Sequence, residues 1–220
     1  MSKIVVAVDG PAGSGKSSVS KIVAQRAGLK YIDSGALYRS ITWYMLEKFK
    51  SLENVDFGAI ASREMKIEQS FGSDGRSFTS VNGVDVSLLI RDEQIAANIG
   101  KISDNRGVRE FVNSLLRSWA QTDPIIMDGR DIGTVVFPDA ELKIYCDASV
   151  GVRADSAKPD QQAGSHLTKR KVSLIGAACQ HHDYYRVPTL SSRGLNVQTY
   201  IESICLHRLG QPRWRPGCPR

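Results

Sequence analysis

The 220 residues are ordinary in composition, with 41% hydrophobic and 24% charged side chains, which fits one globular domain or one domain carrying an insertion. No apolar run approaches the ~18 residues of a membrane span, and the first apolar stretch, Ile4 to Val8, ends in Asp9 and is too short for a secretory signal, so a cytoplasmic protein is expected. The net charge of +6 is unevenly placed: residues 1–145 hold 18 basic and 18 acidic side chains, and all the excess lies beyond them, together with all four cysteines and all four histidines.

Lys3 to Val8 is a β-branched run that reads as a buried strand of a parallel sheet. A glycine-rich turn follows. Val19, Ile22, Val23 and Ala27 then recur at helical spacing from Lys16 to Ala27, and Gly28 is placed to end that helix. Tyr31 to Asp33 reads as a second strand, and Ser34 opens a helix to about Lys50. Between 51 and 90 the pattern shifts to short strands at Lys66–Glu68, Ser77–Val81 and Val84–Ser87. They are separated by a Gly72–Gly75 turn and by Asn82-Gly83, a strong hairpin signal. Helices are expected at about Asp92–Ile102 and Val108–Thr122, core strands at Pro124–Met127 and Leu142–Cys146, and a further helix at about Leu167–Gln180. The last ten residues, with three prolines and three arginines, are expected to be disordered.

Gly10-Pro11-Ala12-Gly13-Ser14-Gly15-Lys16-Ser17 fits G-x-x-x-x-G-K-S/T and lies between a strand and a helix, the context a phosphate-binding loop requires. Its glycines let successive backbone N–H groups face the phosphates, and the helix N-terminus adds its dipole. Lys16 is suited to the β- and γ-phosphates and Ser17 to Mg²⁺, with Ser18 completing the ATP-binding stretch Gly10–Ser18. The loop by itself leaves kinases, GTPases and motor-type ATPases open. The missing Asn-Lys-x-Asp motif argues against a GTPase, and the short chain argues against a motor. Arg39 lies one helical turn from Gly35 and can point back toward a ligand. Arg130 and Asp131 follow the third core strand, where open α/β sheets bind ligands. Two arginine forks and a carboxylate at strand ends point to a second phosphate site, with Asp131 able to accept a hydrogen bond from an amino group.

Tyr31-Ile32-Asp33-Ser34-Gly35-Ala36-Leu37-Tyr38-Arg39 and the long string from Met127 to Ala140, taken with the phosphate loop, resemble bacterial cytidylate kinase over about residues 3–153. Val81–Ser87, Ile90-Arg91 and Val108-Arg109-Glu110 are similar to that family's nucleoside-monophosphate (NMP) insertion and the helix after it. The resemblance implies an α/β fold of the P-loop NTPase type: a parallel sheet flanked by helices, with a small β-containing NMP-binding insertion at about 51–104 in a core of residues 1–154. It implies phosphoryl transfer from ATP, with Mg²⁺, to CMP or dCMP. Lys16, Arg130 and Asp131 would be catalytic. Tyr38, Arg39 and Arg130 would hold the CMP phosphate, Arg109 and Asp131 would read cytosine, Ser34 would touch base or sugar, and Asp183 and Arg186 would contact sugar and phosphate. Cytosine chemistry agrees, since its N4 amino group donates and its O2 and N3 accept. Gly100 stands where the family has a base-contacting serine.

The match read from these motifs fails beyond Val152-Arg153-Ala154, where Asp155-Ser156-Ala157-Lys158-Pro159-Asp160 replaces a basic lid helix. Residues 155–220 are read as a divergent, partly irregular segment. The gain in Cys, His, Pro and Arg favours an altered reading frame over a diverged C-terminus, with impaired turnover as the consequence. Cys179-x-His181-His182 lacks paired metal-ligand spacing and is not read as a metal site. The alternative function is a non-catalytic nucleotide-binding protein with a basic tail, and a third is a small-molecule kinase of another P-loop family. Neither a membrane nor a nucleic acid is expected as partner: Lys169-Arg170-Lys171 has no interleaved aromatics. Oligomeric state is left open.

Overall fold

The computed structural model describes residues 4–72 and 76–148, and the backbone of 185–188. Five strands form one parallel sheet: β1 (Val5–Asp9), β2 (Lys30–Asp33), β6 (Ile125–Gly129), β7 (Leu142–Asp147) and β8 (Tyr185–Pro188), in the order β2-β6-β1-β7-β8. β1 lies at the centre, in register with β6 from Val5↔Ile125 to Asp9↔Gly129 and with β7 from Val6↔Leu142 to Asp9↔Tyr145. Every residue of β1 and β6 is buried, as continuous apolar runs in a sheet covered on both faces should be.

Strand alternation divides the core into two layers. Val6, Val8, Tyr31, Ile126 and Ile144 pack against Val23 and Ala24 of α1 (Lys16–Ala27). On the other face Val5, Ala7, Ile32, Ile125 and Met127 meet Leu37, Ile41 and Met45 of α2 (Ser34–Lys48), together with Val112 and Leu116 of α5 (Arg106–Ala120). Helices on both faces of a parallel sheet make this the expected α/β architecture. α1 spans the predicted range, and Gly28 caps it in the left-handed conformation.

The expected β insertion is present but not purely β. α3 (Phe57–Glu64) precedes the strands, capped by the Asp56 carboxylate accepting from the Ala59 N–H at 3.0 Å and buried through Phe57 and Ala61. Only eight residues long, with glycine at its second position, it has little helical signal of its own; packing makes it. β3 (Ile67–Phe71), β4 (Ser77–Val81) and β5 (Val84–Asp85) form an antiparallel sheet. Asn82 and Gly83 both have positive φ, 51° and 84°, as the predicted tight hairpin demands. α4 (Glu93–Ser103) leads back toward α5. Two further departures are a π-helical turn at Ile132–Val136 and strand β8, neither of which the sequence pattern predicts. The expected helix at 167–180 and the expected disorder of the last ten residues lie outside the described residues.

Candidate active site

All five core strands run parallel, so their carboxyl ends share one edge, and the predicted site residues gather there. β1 delivers the phosphate loop. Gly10 has φ +154°, and a Cβ there would lie 2.2 Å from the Cys146 carbonyl oxygen at the end of β7, so the loop can leave β1 only through glycine. Lys16 folds over the loop, its ammonium donating to the Pro11 carbonyl at 3.1 Å. Burial pulls its pKa below the usual lysine value, against the attraction of nearby Asp128. Among the described residues, the buried Ser14 hydroxyl inside the loop has no hydrogen-bond partner. Ser17 is half-buried and Ser18 exposed on the first turn of α1.

The most connected group is one that sequence reasoning did not assign. Asp128, on β6, is almost fully buried. Its carboxylate accepts hydrogen bonds from the Ser17 hydroxyl and, at 3.0 Å, from the Tyr31 hydroxyl. Burial, reinforced by the neighbouring charge of Asp33, pushes its pKa up to about 6, against the pull of Ser17, Lys16 and Tyr31. A hydroxyl and a carboxylate beside a phosphate loop are the hard oxygen donors that Mg²⁺ takes in this kind of site, so the residues present fit that ion. Among the described residues no cluster of three or more His, Cys, Asp and Glu could hold a metal.

The predicted acceptor side is assembled from distant segments. Asp33 caps α2, accepting from the Ala36 N–H at 2.9 Å, and the Ser34 hydroxyl donates to the Asp128 carbonyl at 2.7 Å. Arg39 turns back as predicted: a Cβ on Gly35 would lie 3.5 Å from its guanidinium. Burial lowers its pKa first, Asp33 opposes this, and the positive charges of Arg91 and Arg130 lower it further. Lys16, Arg39, Arg91 and Arg130 thus converge around the carboxylates of Asp33 and Asp128, with Arg91 ion-paired to Asp33 at 3.5 Å. Arg130 is exposed at the end of β6. Arg109 of α5 and Asp131, 22 residues apart in the chain, form a half-buried ion pair. Burial is the largest single influence and works against the charged guanidinium, but the hydrogen bond and charge of Asp131, with Tyr38 and Asp104, together outweigh it and the net pKa of Arg109 is raised. Tyr38 lies near both: burial raises its phenol pKa, Arg109 lowers it and Asp131 raises it. The predicted set is therefore brought together, apart from Asp183, which lies outside the described residues, and Arg186, of which only the backbone is described, in β8 opposite Tyr145.

Gln69 also escaped sequence reasoning. Its side-chain amide accepts from the Asp33 N–H at 3.1 Å and donates to the Asp33 carbonyl at 2.8 Å, seating β3 on the end of β2. Two residues on, Phe71 packs on the Tyr31 ring with centroids 5.4 Å apart. Alternation along β3 puts Ile67, Gln69 and Phe71 on one face, a signal present in the sequence. An acidic residue closing the apolar run Ile125–Met127 was the corresponding signal for Asp128.

Comparison with known proteins agrees with this arrangement. In fold, the chain is similar to the crystal structure of TT1252 from Thermus thermophilus, with TM-score 0.54 over 95% of this chain and 99% of that one, at 14% identity. In sequence it is similar to the cytidylate kinase of Streptococcus thermophilus, 45% identical over 157 residues, covering 70% of this chain and 69% of that protein. It is also similar to the cytidylate kinase of Streptococcus pneumoniae, 35% identical over 215 residues, covering 93% of this chain and 96% of that one. The motifs alone carried the likeness to about residue 153, whereas the cytidylate kinase family model matches residues 6–185, so the likeness continues past the composition break. A phosphate loop, a buried carboxylate on its serine and a cation-lined sheet edge thus stand in a chain matched over most of its length, and the chain belongs to the cytidylate kinase family.

Proposed function

We propose that the chain transfers the terminal phosphoryl group of ATP to the phosphate of CMP or dCMP, giving CDP or dCDP and ADP. An acceptor phosphate oxygen attacks the γ-phosphorus, and the bond to the bridging oxygen of ADP breaks. Gly10–Ser18 would cradle the donor phosphates, with Lys16 following the charge that moves onto the bridging oxygen. Tyr38, Arg39 and Arg130 would fix the acceptor phosphate, and their cations offset the repulsion between two phosphate groups brought together. Mg²⁺, held by Ser17 and Asp128, would supply charge neutralisation at the donor phosphates. Ser34 would face the base or sugar, and Asp183 and Arg186 the sugar and phosphate. A cytoplasmic location goes with this reading; among the described residues no helix is long and apolar enough to cross a membrane.

The observation that carries the choice of acceptor is the Arg109–Asp131 pair beside Tyr38. A carboxylate that accepts and a guanidinium that donates match the N4 amino group and the O2/N3 acceptors of cytosine. Uracil presents a carbonyl to the carboxylate instead. CMP should therefore exceed UMP in kcat/KM by at least about tenfold, the cost of a buried partner left unsatisfied. Asp131→Ala should erase most of that ratio. Equal kcat/KM for CMP and UMP in the unmodified chain would refute the assignment.

A further inference from the structure

Asp131 occupies the N-cap position of the π-helical turn Ile132–Val136, yet its side chain makes no capping hydrogen bond. Aspartate is among the best N-cap residues, so its carboxylate is being kept from a role it would ordinarily take. Another residue fills that role. Asp9, the last residue of β1, is fully buried, and its two carboxylate oxygens accept from the N–H groups of Ile132 and Gly133, each at 2.8 Å. These are the first two free amides of the turn. With both occupied from the neighbouring strand, the Asp131 carboxylate is released to pair with Arg109.

The rest of the turn is built to suit. Asp9 stands in register with Gly129, so the chain folds back over the end of β6 directly beside it. A Cβ on Gly129 would fall 2.6 Å from the Ile132 side chain and 2.6 Å from the Ser34 hydroxyl, and only glycine allows that return. At the far end Arg117 of α5 donates to the Val135 and Val136 carbonyls at 3.0 Å each. Both ends of the turn are therefore satisfied from outside it.

We infer that Asp9 is a positioning residue for acceptor specificity: by capping the Ile132–Val136 turn from β1, it holds Asp131 free to read the base. This rests on the proposed role of Asp131. It also links the two halves of the site, because the residue that fixes the base-reading turn is the one from which the phosphate loop departs. If Asp9 loses one carboxylate oxygen, a turn N–H becomes a buried unpaired donor, and the Asp131 carboxylate, at the N-cap of the same turn, is placed to replace it.

The test is Asp9→Asn, near-isosteric but with one acceptor replaced by an amide NH₂, assayed for kcat/KM with CMP and UMP and for KM with ATP. The CMP:UMP ratio should fall about tenfold while KM for ATP stays within about twofold, since one unsatisfied buried donor is at stake and the phosphate loop is unaltered. An unchanged ratio, or a KM for ATP rising in step with that for CMP, would overturn the inference. Asp131→Ala is run beside it. If that variant lowers the ratio and Asp9→Asn does not, the inference alone fails. If Asp131→Ala leaves the ratio untouched, the reading of Asp131 fails and the inference with it. Should Asp9→Asn not fold, hydrogen exchange on the unmodified chain decides. The Ile132 and Gly133 amides should be protected before any nucleotide is added, and exchange at the rate of an open turn would count against the clamp.

Discussion

The proposed donor side and the proposed acceptor side of this site are built in different ways. The donor side is one uninterrupted stretch, β1, loop and α1, from Val5 to Ala27. The acceptor side draws on the start of α2, on Arg109 of α5, on the turn after β6 and, through Gln69 and Arg91, on the insertion. A contiguous device can be rigid by itself, because local geometry fixes it. A device gathered from four segments depends on the links between them: Asp33 with Gln69, Asp9 with the turn at 132–136, Arg109 with Asp131. The division also fits the chemistry. The phosphates of ATP need only N–H groups and charge, whereas telling one base from another needs groups at fixed separations.

The largest effects should come from breaking the two sides separately. Lys16→Ala should cut turnover by on the order of 10²–10³, the scale of losing one preorganised charge-stabilising group, while CMP affinity by calorimetry stays within about twofold. Arg130→Ala should weaken CMP binding by about 1.5–3 kcal/mol, the scale of a charged hydrogen bond, and leave ATP binding nearly as before. If both variants stay folded yet lose CMP equally, the division into donor and acceptor sides is wrong.

Asp128 stands between the two sides, and its ionisation gives a second test. Its native pKa is raised to about 6, so the folded state holds that proton more tightly than the unfolded chain does. The stabilisation from the protonated form is complete below the ordinary carboxylate range and is lost as pH rises through about 6. Asp128→Asn cannot ionise there. Its melting temperature should therefore gain on that of the unmodified chain between about pH 4 and pH 7, and then hold its lead. Turnover of the same variant should collapse, because the carboxylate beside Ser17 is gone. A melting difference that is constant across this range would mean that burial does not raise the pKa of Asp128.

The same contrast explains what could be read from the sequence. The phosphate loop, the core strands, α1 and the Asn82-Gly83 hairpin follow from local patterns, and each was legible. The positions of Arg39 and Arg130 followed from strand ends and helical spacing. Asp9, Tyr31, Gln69 and Asp128 were missed because their partners lie far along the chain: Asp128 meets Ser17 across 111 residues, and Asp9 meets Ile132 across 123. α3 was missed because its burial, not its propensity, makes it helical. The Arg109–Asp131 pair came only through family likeness, for nothing local places α5 beside the turn after β6.

The smallest expected effect is at Gly100, where the family likeness puts a base-contacting serine. Gly100 is exposed within α4, and a Cβ there would meet no atom within 4 Å. Glycine in a helix interior costs roughly 0.5–1 kcal/mol relative to alanine, with serine between the two. Gly100→Ser should therefore raise the melting temperature by about 1–2 °C, and Gly100→Ala by slightly more, since about 1 kcal/mol moves a chain of this size by ~2–4 °C. Affinity should split the two variants in the opposite order. Only serine brings a hydroxyl, and one added hydrogen bond is worth about 0.5–1.5 kcal/mol, or roughly two- to tenfold tighter CMP binding. Calorimetry with CMP on the two variants separates helix stability from base contact. Tighter binding with serine alone would extend the acceptor side to α4, whereas equal affinity in both would confine base reading to Arg109, Asp131 and Ser34.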